Sequence, residues 1–134
     1  MRNNSAWNFR FFLFNFVNKE INKDLIKKEI SYSIDKINEC PNNESPFNYI
    51  RGLLEIKDEK KNLICRFSDF PFLKSELEKL YENNSKNYHC LALLLDIEIE
   101  EKNKDRIKTI VDCLVEIDFI RKKYWLWKKA KVIY

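Results

Sequence analysis

Residues 2–12, RNNSAWNFRFF, are answered forty positions later by residues 43–54, NESPFNYIRGLL. Placing Trp7 on Phe47 sets Asn3 on Asn43, Ser5 on Ser45, Asn8 on Asn48, Phe9 on Tyr49 and Leu13 on Leu53. A polar cap, an aromatic anchor, an asparagine directly after it and then an apolar run recur as one unit. Self-similarity at a period of roughly 20–50 residues marks arrays of helical hairpins, in which each unit buries its apolar face against the next. The expected fold is therefore all-α, an α-solenoid of antiparallel helical hairpins. Fainter echoes put further anchors at Leu91, four residues after Asn87, and at Trp125 inside KYWLWK.

Composition agrees with that class. Only one glycine and three prolines are present, too few for the tight turns of an all-β fold, and 45% hydrophobic content argues against disorder. A chain of 134 residues is expected to form a single domain over 1–134, large enough to bury a core without disulfides or metal. The apolar run Phe11–Val17 imitates a secretory signal, yet Asn15 breaks it and no small-residue cleavage site follows. It is also too short to span a bilayer. Cys40, Cys65, Cys90 and Cys113 stand far apart, with no paired spacing, and the lone His89 completes no zinc constellation. Four reduced thiols in a cytoplasmic protein are expected. The net charge of +4 gathers after Asp118, in Arg121, Lys122, Lys123, Lys128, Lys129 and Lys131. That run reads as the cationic face of a last helix, where lysine also suits the negative dipole end, in preference to a nucleic-acid or membrane-surface patch.

Periodicity places seven helices. The first covers 4–17, capped by Asn4 or Ser5, with Trp7, Phe11 and Phe14 on one stripe and Phe9, Phe12, Leu13 and Phe16 on another. Apolar on two sides, it needs a neighbour beyond its own hairpin. The second covers 23–39 on Ile26, Ile30, Ile34 and Ile37, and Pro41 ends it. The third, 44–57, starts at Ser45-Pro46 and carries Gly52, whose mid-helix cost of about 1 kcal/mol points to close approach by a neighbouring helix. A charged loop follows at 58–62, and 63–69 yields no assignment. Asp69 is expected to cap a fourth helix starting near Phe70 or Pro71, and residues 83–85 break it. The remaining helices fall at 87–101, 105–117 and, capped by Asp118, beyond. The acids Glu98, Glu100 and Glu101 read as solvated.

No phosphate-cradling glycine loop, metal motif or nucleophile–base pairing is visible, so the residues alone imply a helical-repeat protein that binds another protein. Trp7 and Phe47 would fill wedges between hairpins. Asn3, Asn8, Asn43 and Asn48 would bond backbone at the turns, and Arg10 or Arg51 would meet helix carbonyls or a partner's carboxylate.

The blocks RNNSAWNFRFF, NESPFNYIRGLL, LALLLDIEIE and IRKKYWLWKKA resemble, in order and approximate spacing, the C-terminal part of the alpha subunit of CaaX protein prenyltransferases. The Asn3, Trp7, Asn8 and Arg10 core is similar to that family's repeat signature. The resemblance implies a crescent of hairpins wrapped around a beta subunit, a heterodimer transferring farnesyl or geranylgeranyl from its diphosphate to a C-terminal CaaX cysteine. It implies zinc in the beta subunit and magnesium in the farnesyl enzyme, with no metal or cofactor held by this chain. The family's catalytic Lys-Asn-Tyr stretch has no counterpart before Trp7 or Phe47, where Arg2, Asn3, Asn4 and Asn42, Asn43, Glu44 stand instead. Lys86-Asn87-Tyr88 matches that triplet in a later, non-catalytic block, so no catalytic residue carries over. Because the resemblance enters mid-array, the chain is expected to be part of a longer subunit, inactive and poorly soluble alone. Kept beside this are the alpha subunit of Rab geranylgeranyltransferase and a non-enzymatic helical-repeat adaptor. Neither nucleic acid nor a membrane span is expected.

Overall fold

The computed structural model describes residues 4–17, 20–84 and 86–133, and among them it is all-α, with seven α-helices and no strand. Residue contacts group into two compact units, Met1–Leu73 and Lys74–Tyr134.

The first unit contains α1 (Asn4–Val17), α2 (Lys23–Glu39), α3 (Ser45–Leu54) and the first turn of α4 (Pro71–Asn83). The two opening helices run as the periodicity predicts. Asn22 starts α2 from an extended backbone, its Oδ1 accepting from the Leu25 N–H at 3.0 Å. Ile26, Ile30, Ile34 and Ile37 are all buried. At the other end the Cys40 N–H donates to the Lys36 carbonyl at 3.0 Å before Pro41 stops the ladder. Helix α3 packs against both α1 and α2. Gly52 lies where α1 comes closest, for a Cβ there would sit 3.3 Å from the Phe11 ring.

Helix α3 ends at Leu54, three residues short of the expected end. Asp58 is the cause. Its Oδ1 accepts from the N–H groups of Lys60 and Asn62, at 2.9 and 3.0 Å, and its own N–H donates to the Asn62 carbonyl. A short acidic side chain that offers the backbone such bonds competes with helix. Lys61 takes a left-handed backbone, φ 63°, and Lys57 bridges Leu63 in antiparallel fashion. The unassigned stretch proves to be that bridge followed by a single 3-10 turn, Phe67–Asp69. Asp69 does not cap α4. Its carboxylate turns back, accepting from the Arg66 N–H at 2.9 Å and from Lys23 Nζ at 3.1 Å, which ties the turn to the start of α2. Those bonds, first the backbone one and then Lys23, hold its carboxyl below the usual range.

The second unit holds the rest of α4, then α5 (Tyr88–Glu101), α6 (Lys104–Ile117) and α7 (Lys122–Ile133), with α6 packed against both α5 and α7. Asn87 and Asn103 start α5 and α6, accepting from the N–H groups of Cys90 and Arg106. Lys102 closes α5 in the left-handed conformation, φ 59°, where glycine is the usual choice. Ser85, part of the expected break, lies outside the described residues. Asp118 does not act as a side-chain cap either. A 3-10 turn, Phe119–Arg121, precedes α7, and the Asp118 carboxylate accepts from Trp125 Nε1 at 3.1 Å. Burying an indole without a partner for its N–H is costly, and the nearby carboxylate meets that need first.

Glu98 is the main departure from expectation. It is fully buried, not solvated, with Lys74 Nζ 2.9 Å and Arg106 Nε 3.7 Å from its Oε1. Helix α5 buries Leu91, Leu94 and Leu95, and Glu98 follows at helical spacing on the same face. Lys74 also meets Glu101 at 3.0 Å, and chiefly through Glu98 its ammonium is held above the ordinary lysine range. Removing one partner of a buried pair strands the other charge, whereas replacing both with apolar groups is often neutral. Lys74→Met should therefore cost on the order of 2 kcal/mol in urea unfolding, allowing for the residual Arg106 contact, while Lys74→Met with Glu98→Leu should recover most of it.

Candidate functional site

The four anchors fall at one place in alternate helices. Trp7, Leu91 and Trp125 are the fourth residues of α1, α5 and α7, and Phe47 is the third of α3. All four are 4% exposed or less. Side chains in the first turn of a helix lean toward its N-terminus, so the four anchors are set alike in their helices.

Around Trp7 the anchor has a built shell. Its indole lies 5.1 Å from the Tyr49 ring and 5.9 Å from the Tyr32 ring, and Phe11 meets Tyr49 edge-on at 6.0 Å. Such tilted and edge contacts are the favourable arrangements of aromatic quadrupoles. One turn along, the Arg10 guanidinium stacks 3.6 Å over Tyr32 and grips Glu29 with two bonds, Nε to Oε1 at 3.1 Å and Nη2 to Oε2 at 2.7 Å. Tyr49 Oη donates to the same carboxylate at 2.6 Å. Burial first, then the bond to Glu29, pushes the Tyr49 phenol far above its ordinary range, so it stays a neutral donor. Arg10 thus pairs inside the chain with a carboxylate of α2. The network of Glu29, Tyr32 and Tyr49 left no signal in the sequence, because Glu29 sits among the charged residues of an amphipathic helix.

The remaining signature residues separate. Asn3 lies outside the described residues. Asn4 opens α1 and accepts from Ser45 Oγ at 3.3 Å, while Asn43 accepts from the Ser45 N–H at 3.2 Å. Asn48 is exposed and accepts from Arg51 Nη1 at 3.0 Å. Asn4, Trp7, Asn8 and Phe11 of α1 face Ser45, Asn48, Tyr49 and Gly52 of α3 across a cleft of about 150 Å³. Phe47 and Trp125 are core residues, the latter in the second unit.

On its other side α1 shows rings to solvent. Phe9, Phe12 and Phe16 are 61, 59 and 76% exposed, Phe12 stacks on Phe16 at 5.8 Å, and Leu13 and Val17 continue the patch. The two stripes read from the sequence thus divide into one buried and one bare. A contiguous apolar surface of this kind is a candidate interaction surface.

Chemistry is sparse. No group of three His, Cys, Asp or Glu side chains among the described residues could hold a metal ion. The four cysteines are free, and His89 stacks beside Tyr88 at 4.1 Å. Asn87, of the Lys86-Asn87-Tyr88 triplet, is buried as the α5 cap. Cys90 is also buried and donates to the Leu77 carbonyl at 3.0 Å, and burial pushes its thiol up to about 12.

No protein-family model matches the chain. It is 36% identical over 135 residues to the protein farnesyltransferase/geranylgeranyltransferase type-1 subunit alpha of Dictyostelium discoideum, covering 95% of this chain and 39% of that protein. The Pisum sativum protein of the same name is 30% identical, with 97% and 44% covered. The chain therefore spans less than half the length of these relatives. Among solved structures, a chain of Candida albicans protein geranylgeranyltransferase-I complexed with GGPP matches 98% of this chain with a TM-score of 0.73 and 26% identity. The α-solenoid fold class is shared with that neighbour.

The Cys90 thiol gives a pH signature. A raised folded value means the stability from a neutral thiol is whole below the unfolded value, about 8.5, and drains as pH climbs toward the folded one. The urea midpoint should fall between pH 8 and pH 10.5 more for the native chain than for Cys90→Ala, each compared with its own midpoint at pH 7. An equal alkaline fall in both would contradict the burial of this thiol.

Proposed function

The chain is a relative of the alpha subunits of protein farnesyltransferase/geranylgeranyltransferase type-1, and from that kinship we propose that it is a helical scaffold subunit of a heterodimeric CaaX prenyltransferase. Its partner would be a beta subunit, and the enzyme would transfer farnesyl or geranylgeranyl from the diphosphate to a CaaX cysteine in the cytoplasm. The observation that supports this best is the anchor series, Trp7, Phe47, Leu91 and Trp125, set at matching places in alternate helices of a chain that matches the Dictyostelium discoideum relative over 95% of its own length.

The chain's own contribution in this reading is positional. In this reading zinc is held by the beta subunit, and this chain supports the assembly around it. The first unit presents two candidate recognition features, the polar cleft edged by Asn8 and Asn48 and the bare rings of α1. Of the readings open from the sequence, this one agrees with the names of the relatives found.

Co-expression with a CaaX prenyltransferase beta subunit tests it, with pull-down and transfer of labelled isoprenoid to a CaaX peptide as readouts. The chain should co-purify with the beta subunit and show no turnover alone. Turnover by the isolated chain, or failure to associate, would overturn the reading.

A further inference from the structure

In the second unit, α7 and the turn before it carry a bare apolar surface set among lysines. Phe119 and Ile120 of the preceding turn and Tyr124, Leu126 and Trp127 of the helix are all exposed, Ile120 almost completely at 97%. Cations stand directly beside these rings. Lys131 Nζ lies 5.0 Å from the Trp127 ring centroid, Lys122 Nζ lies 5.8 Å from that of Phe119, and Tyr124 stacks on Trp127 at 6.2 Å. Not every basic residue of the run is available. Lys128 is paired with Asp96, Lys129 with Asp112 and Arg121 with Asp118. Lys122, Lys123 and Lys131 have no carboxylate partner among the described residues, and no acidic residue follows Asp118 in the chain.

The geometry points to the anionic surface of a lipid bilayer as the occupant of this face. Exposed rings and a bare isoleucine beside lysines suit such a boundary, where apolar tips can enter the headgroup–acyl region while the ammonium groups stay at the phosphates. An acidic peptide or a nucleic acid would use the lysines but leave Ile120 and Phe119 with nothing to bury them. The helix does not insert across the membrane, since no helix of the described residues is long and apolar enough to do so. The reading from sequence, a merely solvated cationic face, lacked the observation that Lys131 stands by the Trp127 ring and Lys122 by the Phe119 ring.

The three tryptophans make the test direct. Trp7 and Trp125 are already buried while Trp127 is 57% exposed, so a blue shift of emission on binding reports Trp127 alone. The purified chain would be mixed with sedimentable vesicles of phosphatidylcholine, with or without phosphatidylserine. It should bind the anionic vesicles at least ten-fold better than the neutral ones, with a blue shift absent from Trp127→Phe. Each lysine near such a surface contributes roughly five-fold, so Lys122→Ser, Lys123→Ser and Lys131→Ser together should weaken binding about 100-fold. Ile120→Ser should also weaken it without altering the circular dichroism spectrum. No preference for anionic vesicles overturns the proposal. So does binding that leaves the Trp127 emission unmoved or is indifferent to Ile120→Ser, for then charge alone is at work and a polyanion would serve equally.

Discussion

Burial of one large apolar side chain in the first turn of every second helix is the constraint on which this structure depends. A short helix has little intrinsic stability in water and gains most of its stability from tertiary packing of one face. Trp7, Phe47, Leu91 and Trp125 each supply that contact at the end where the chain enters the helix. The polar work nearby is arranged around them. Ser45 reaches back to Asn4, Asp118 accepts the Trp125 indole N–H, and Asn87 caps the helix that Leu91 anchors.

The same rule explains why α1 is left half-dressed. Its buried stripe meets Tyr32, Tyr49 and Gly52, and the Arg10–Glu29 grip locks it onto α2. Its second stripe of phenylalanines is exposed among the described residues of the first unit. An apolar face of that kind suits packing against another surface.

Legibility in the sequence followed periodicity. Helices α1 and α2 are where the apolar spacing put them, and Gly52 marks a close helix approach as its mid-helix position implied. Misreadings came from side chains whose choice among several partners depends on the fold. Asp58 stopped α3 early by bonding its own loop, and Asp69 and Asp118 turned to a lysine and an indole instead of capping. Glu98 looked solvated because its neighbours Glu100 and Glu101 share the charge, yet it lies on the face that Lys74 covers. Local sequence records that an acid is present; only packing decides which partner it finds. The repeat signature was legible as an anchor and its caps, while the Glu29–Tyr49 bond beneath Arg10 became visible only in three dimensions.

An alanine scan of the four anchors, read by urea unfolding, is the most direct test of the repeat. Trp7→Ala, Phe47→Ala, Leu91→Ala and Trp125→Ala should each cost about 2–5 kcal/mol, as fully buried large side chains do. Alanine at the exposed neighbours Phe9, Phe12 and Trp127 should cost less than about 0.5 kcal/mol. Anchors that prove no more costly to truncate than those neighbours would contradict the account.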